Sequence, residues 1–407
     1  MEEVKDLELG EKEKFILTAG KLAGVSRVEL EALEDVFYGR EKNNDFILRR
    51  MKPLFDLYEK SLEGKTGFMP TDDPYCYLMN ADDVLISRRR LSKGSAIGDS
   101  WVITPNLEAY LSKDPIHYAV SSRYDDLSEV NNLFLPYVAQ SLGVKTAFFY
   151  RVLFTDSEGM GKYRHLSRNF LKIDETFISG NAVLKKGDGE HLLTGRDAHH
   201  ISLGSLLEHT DKYVKKFCKK HGKSEGYTKE ARFNIRQGII MQSFVNKLLL
   251  NNNEDNRFWG LITDEENNIT YAPMYNYTEC GVVSTGSVSP KRVVQKRKII
   301  GGMDDIQSFM LAFRKEDWFR VWATDVVNNF DVERCFEEFN SSRKFDLSEE
   351  YKEYYRTFLG KTFELAKEVI EKDFDMDKFS RAQRGKAKIK RLERRIDDSV
   401  ADEDLLR

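Results

Sequence analysis

Between Leu248 and Cys280 the chain carries two polar loops separated by a hairpin-like stretch. The first holds Asn251, Asn252, Asn253, Glu254, Asp255 and Asn256, and closes on Phe258, Trp259 and Gly260. The second follows Ala272, Pro273, Met274 and Tyr275 and contains Asn276 and Glu279. Oxygen-bearing side chains in two facing loops are what a phosphoryl-transfer centre needs: one carboxylate orients the nucleophile and others hold Mg²⁺. The side chains here fit those tasks poorly. Asn253 cannot accept a proton, Asn276 offers a neutral amide oxygen, and Phe258 offers no ligand at all. Mg²⁺ prefers anionic oxygens in near-octahedral geometry. The acids on hand are Glu254, Asp255 and Glu279, which a shifted loop would recruit and which otherwise are solvated loop residues.

This layout resembles the catalytic and metal-binding loops of the HipA-like kinases, in particular the branch with a stand-alone HipA-like C-terminal domain. The shared frame words are Asn251, Trp259 and Gly260, then Ala272, Pro273 and Tyr275. In that alignment Asn253 stands at the family's catalytic Asp. Glu254 and Asp255 replace an Arg-His pair, Phe258 replaces the metal-binding Asn, and Asn276 replaces the metal-binding Asp. The resemblance extends upstream. Asp99–Lys113 is similar to a hairpin ending in the strand that bears the ATP-binding Lys, matched by Lys113. Ser128-Glu129-Val130 opens a helix whose Glu129 matches the partner of that Lys, and Leu142-Gly143-Val144 ends it. Gly94–Gly98 stands where a glycine-rich phosphate loop lies, with Gly94 and Gly98 as its two glycines, although alone it reads as a turn. His165–Gly180 is similar to a further family segment. Together these motifs span Leu85 to Ser289.

The resemblance implies an α+β, bilobed, protein-kinase-like fold, with a small antiparallel-sheet lobe and a large, mainly helical lobe. The expected divisions are an N-terminal helical segment over 1–83, the small lobe over 84–154, the large lobe over 155–379 and a charged tail over 380–407. With three chemical roles replaced, the leading expectation is a pseudokinase that regulates or scaffolds through a protein partner. ATP is the cofactor class implied, held weakly if at all, and Mg²⁺ is not expected to bind well. One alternative is a divergent Ser/Thr kinase or nucleotidyl transferase working through Glu254, Asp255 or Glu279. Another is a nucleic-acid-associated regulator of the toxin–antitoxin type. Two basic stretches would serve the latter, 291–298 and 380–395, the second with eight Lys/Arg against one Glu.

Apolar periodicity places the elements that must hold these loops. Val28–Tyr38 and Phe46–Leu62 read as amphipathic helices, the latter kinked or split at Pro53. They form either a helix-turn-helix or, better, a helical cap on the small lobe, since no basic face is clustered on them. Asp83–Leu91 reads as the first strand, Ser202–Lys220 and Ala231–Leu250 as helices. Four further helices are expected at Asp304–Phe313, Asp317–Asn328, Val332–Phe339 and Ser348–Asp373. The many aromatics of this last third read as core. His199 and His200 are adjacent and so point apart, which makes them poor joint ligands.

The 407 residues are 41% hydrophobic, enough for a sizeable core, and the net charge of −3 makes no global demand for nucleic acid or an anionic membrane. Cys76, Cys218, Cys280 and Cys335 are scattered singly, which argues against a zinc site and for free thiols in a reducing compartment. No apolar run reaches membrane-spanning length and the first residues are acidic and polar, so a cytoplasmic protein without membrane association is expected.

Overall fold

Caps and apolar spacing account for the first helices. α1 spans Glu11–Ala23 and α2 spans Arg27–Phe37. Ser26 caps α2 by accepting from the Glu29 N–H at 3.3 Å, and the Glu29 carboxylate accepts from the Ser26 N–H at 3.2 Å, a reciprocal capping box. The stretch around Pro53 is split into α3 (Asp45–Arg50) and α4 (Lys52–Leu62). Pro53 sits in the first turn of α4, where its missing N–H has no intrahelical acceptor to lose. Ile16, Leu33, Met51 and Leu54 from these helices pack with Trp101, Ile103 and Ala109 of a sheet. The Ser87 hydroxyl also donates to the Ala23 carbonyl at 2.6 Å. The N-terminal helices thus cap the sheet.

The computed structural model describes residues 9–40, 45–70, 77–87, 100–113, 122–155, 161–172, 175–188, 202–251, 259–275, 277, 280–281, 304–343 and 346–374. The first lobe is built on seven strands: β1 (Met69–Pro70), β2 (Tyr77–Asn80), β3 (Leu85–Ser87), β4 (Ser100–Ile103), β5 (Ala109–Lys113), β6 (Phe149–Thr155) and β7 (Gly161–Arg168). Their order is β1-β2-β6-β7-β5-β4-β3. All neighbours are antiparallel except β2 on β6. That pair can be parallel because three strands and helix α5 (Ser122–Ser141) separate the two in sequence, the long crossover that a parallel pair requires. The sheet starts before Asp83, earlier than the sequence indicates, because β1 and β2 are too short to show alternation.

A second sheet of order β10-β9-β8 joins β8 (Thr176–Ser179), β9 (Gly260–Thr263) and β10 (Ile269–Tyr271). Around it lie α6 (Gly180–Lys186), α7 (Leu203–Lys220), α8 (Glu225–Leu248), α9 (Asp304–Phe313), α10 (Asp317–Asn328), α11 (Val332–Arg343) and α12 (Glu349–Asp373). Ser202, Ser224 and Ser348 cap α7, α8 and α12 through their hydroxyls. α8 begins ahead of Ala231 because Ser224 starts it on a polar turn with no apolar period to read. This is the expected α+β, two-lobed architecture: a sheet lobe with one long helix, then a mainly helical lobe containing a small three-stranded sheet. The aromatics of the last third are core, with Phe319, Phe339 and Phe358 fully buried beside Phe134 and Phe244. No helix among the described residues is long and apolar enough to cross a membrane.

Arg343 fastens the lobes. It is 5% exposed, and no carboxylate among the described residues pairs with it. Its Nε donates to the Tyr137 hydroxyl of α5 at 3.0 Å and its Nη2 to the Phe149 carbonyl of β6 at 2.6 Å. The guanidinium lies 4.1 Å from the Tyr150 ring centroid, a cation–π contact in a desolvated setting. Arg343→Ala should lower the unfolding free energy by about 2–4 kcal/mol by orphaning the carbonyl and phenol. Arg343→Lys should recover less than half, because one ammonium does not reproduce the planar fork. Urea denaturation of the three proteins reads this out.

Candidate functional site

The first polar loop leaves α8 through a fixed turn. Leu249 and Leu250 are buried, and Leu250 adopts a left-handed φ of 47°. Asn251 closes the turn: its N–H donates to the Asn246 carbonyl at 2.8 Å and its side-chain amide to Asn246 Oδ1 at 3.0 Å. Residues 252–258 lie outside the described residues. The chain is described again at Trp259, which is buried and whose carbonyl accepts from the Gly180 N–H at 2.9 Å. At Gly260 a Cβ would come within 2.5 Å of the Ile178 carbonyl, so the close approach of β9 to β8 requires glycine there.

The second loop is pinned at both ends. Met274 donates its N–H to the Lys145 carbonyl and accepts from the Ala147 N–H, each at 2.8 Å, which splices it to the connection after α5. Asn132 Oδ1 accepts from the Tyr277 N–H at 3.2 Å. The neighbouring Asn131 donates through Nδ2 to the Cys280 carbonyl at 3.1 Å, and its Oδ1 accepts from the Tyr355 hydroxyl of α12 at 2.7 Å. Both asparagines are under 4% exposed. Gly281, at φ 58°, donates its N–H to the Leu249 carbonyl at 3.2 Å, so the exit of the second loop is tied to the entry of the first. Tyr277 is fully buried with its hydroxyl against that of Thr146, and burial pushes the phenol far up, so it stays neutral.

Lys113 lies on β5, opposite His165 of β7, and His165 is in turn opposite Arg151 of β6. Directly opposed residues share a face of a sheet, so these three basic positions form one row. Glu129 lies on α5, one turn before Asn132 and on the same helix side. Gly94, Gly98, Asn253, Glu254, Asp255, Phe258, Asn276 and Glu279 lie outside the described residues, as do His199, His200, Cys76 and both basic stretches. The structure therefore positions the flanks of every candidate loop. The buried pair Asn131-Asn132 was missed in the sequence, although two adjacent amides inside the apolar run from Val130 to Val138 are a readable signal, since buried amides must find partners. Cys218, Cys280 and Cys335 are buried and form no disulfide among the described residues. Burial pushes the Cys335 thiol up to about 11, leaving it protonated and unreactive near neutrality.

No family model matches the chain, and no curated protein does. Among solved structures it is similar to the Helicobacter pylori proinflammatory kinase CtkA, at 14% identity and a TM-score of 0.47, over 72% of this chain and 98% of that chain.

The amide anchors generate a direct expectation. Asn131→Ala should cost about 2–4 kcal/mol, because it strands the Cys280 carbonyl and the Tyr355 hydroxyl in the interior. Asn131→Asp keeps an acceptor for Tyr355 but sets a carboxylate against the Cys280 carbonyl, so it should be no milder. Denaturant titration measures both.

Proposed function

We propose that the protein is a HipA-like pseudokinase: a kinase-shaped regulator or scaffold that engages a protein partner and does not transfer phosphate. The observation that carries this reading is the joint replacement of three roles in one register, at Asn253, Phe258 and Asn276. Groups that act as a unit are not additive, and losing one alone costs orders of magnitude in rate. The donor set does not fit Mg²⁺, since an amide and a phenyl ring stand where hard anionic ligands are needed.

The frame around those positions supports a retained shape. Its loop ends are held by α5 amides, by the Leu249–Gly281 bond and by the Met274 splice, none of which depends on the replaced side chains. Any nucleotide that binds is held weakly, with Lys113 at the end of β5 as the residue that the resemblance matches to the ATP-binding Lys and without a metal to bridge its phosphates. Its affinity is therefore nearly independent of Mg²⁺.

Incubation with radiolabelled ATP and Mg²⁺ tests the reading, beside Asp255→Ala and Glu279→Ala variants. No label above background is expected on the protein or on added Ser/Thr substrates. Label transfer that both substitutions abolish would move the chemistry to the neighbouring acids and replace this reading by the divergent-enzyme one.

A further inference from the structure

Away from both loops, α7, α8 and α9 line a cleft of about 830 Å³ that is open to solvent on one side. That falls within the ~300–1,000 Å³ typical of small-molecule sites. Its walls are apolar and set deep: Leu207 and Val214 of α7, Ile235 and Ile239 of α8, and Phe309 and Phe313 of α9 are each under a tenth exposed. Thr210 also lines it, 2% exposed, and its hydroxyl has no hydrogen-bond partner among the described residues. Leaving a buried hydroxyl unpaired costs about 1–3 kcal/mol, and a ligand oxygen placed there would remove that cost.

Charges of both signs stand on the same lining, and its carboxylates are already paired: Glu208 accepts from Lys212 at 2.7 Å and Asp211 from Arg232. Arg232 gives Nε and Nη2 to Asp211 at 2.5 and 2.7 Å, which leaves Nη1 without an acceptor among the described residues. Arg236 gives only Nη2 to Glu316, at 2.6 Å. A guanidinium carries five N–H donors, so both keep donors for an incoming anion. Apolar walls bordered by spare guanidinium donors and one unpaired hydroxyl fit a molecule with an aliphatic body and an anionic oxygen head. We infer that this cleft binds a small anionic amphiphile of the aliphatic carboxylate class. The inference rests on α7, α8 and α9 alone and stands whether or not the protein transfers phosphate.

Calorimetric titration of the full chain with dodecanoate, kept below its micelle concentration, tests this. Dodecanol serves as the neutral control. Saturable one-to-one binding is expected. Ile239→Trp, which fills the cleft, should weaken it about tenfold or more, and Arg236→Gln should weaken dodecanoate about three- to tenfold while leaving dodecanol unchanged. Circular dichroism checks that the Trp variant folds. If it does not, Arg236→Gln decides alone, through the ratio of the two affinities. Absence of saturable binding to the parent protein overturns the inference. So does binding that the variants leave unchanged, because that is adsorption elsewhere on the surface.

Discussion

The arrangement of this molecule depends on two adjacent amides. Asn131 and Asn132 lie on α5, the long helix of the sheet lobe, yet their partners are backbone groups of the loop that follows β10 and a tyrosine of α12. A buried amide without partners is costly in a low-dielectric interior, so α5 can dock in very few positions that satisfy both. That docking also fixes where Glu129 stands, since it lies on the same helix. One helix therefore sets the second loop and the first lobe together, and Arg343 closes the same junction from α11.

Separate residues hold the frame and would perform the chemistry. Gly260 is required by the approach of β8 and Gly281 by its left-handed backbone, while Leu249, Met274, Tyr277 and Cys280 work through backbone groups that almost any side chain permits. The capping box at Ser26, the amide anchors at Asn131 and Asn132 and the Met274 splice are all made by residues other than Asn253, Phe258 and Asn276. A chain can thus keep this architecture with altered chemistry, which is the physical basis for reading it as a scaffold.

Much of the helical lobe was legible in the sequence because its signals are local. Asp304–Phe313 and Asp317–Asn328 run between the expected residues, and Ser202 and Ser348, where two further helices were expected to begin, are caps of the usual chemistry. Lys113 ends a strand, as the resemblance implies. What stayed hidden is long-range. The β2–β6 pairing joins residues 75 positions apart, as Tyr77 to Val152, and β2 is too short to show a period. The row of Lys113, His165 and Arg151 exists only once the sheet register is set. The partners of Asn131 lie 149 and 224 residues away, and composition gives no hint of them. The α7–α9 cleft is likewise a product of packing, since each of its walls reads in sequence as ordinary core.

On the proposed reading the frame is intact and only the side chains for metal and proton transfer are replaced. Restoring them tests it most directly. A variant carrying Asn253→Asp, Phe258→Asn and Asn276→Asp should stay folded and gain ATP binding that strengthens at least about tenfold when Mg²⁺ is added, against little or no Mg²⁺ effect in the parent. Calorimetric titration of both proteins with ATP, with and without Mg²⁺, is the measurement. A folded variant that gains no Mg²⁺ dependence would show that these positions do not face a nucleotide site, and would contradict the claim.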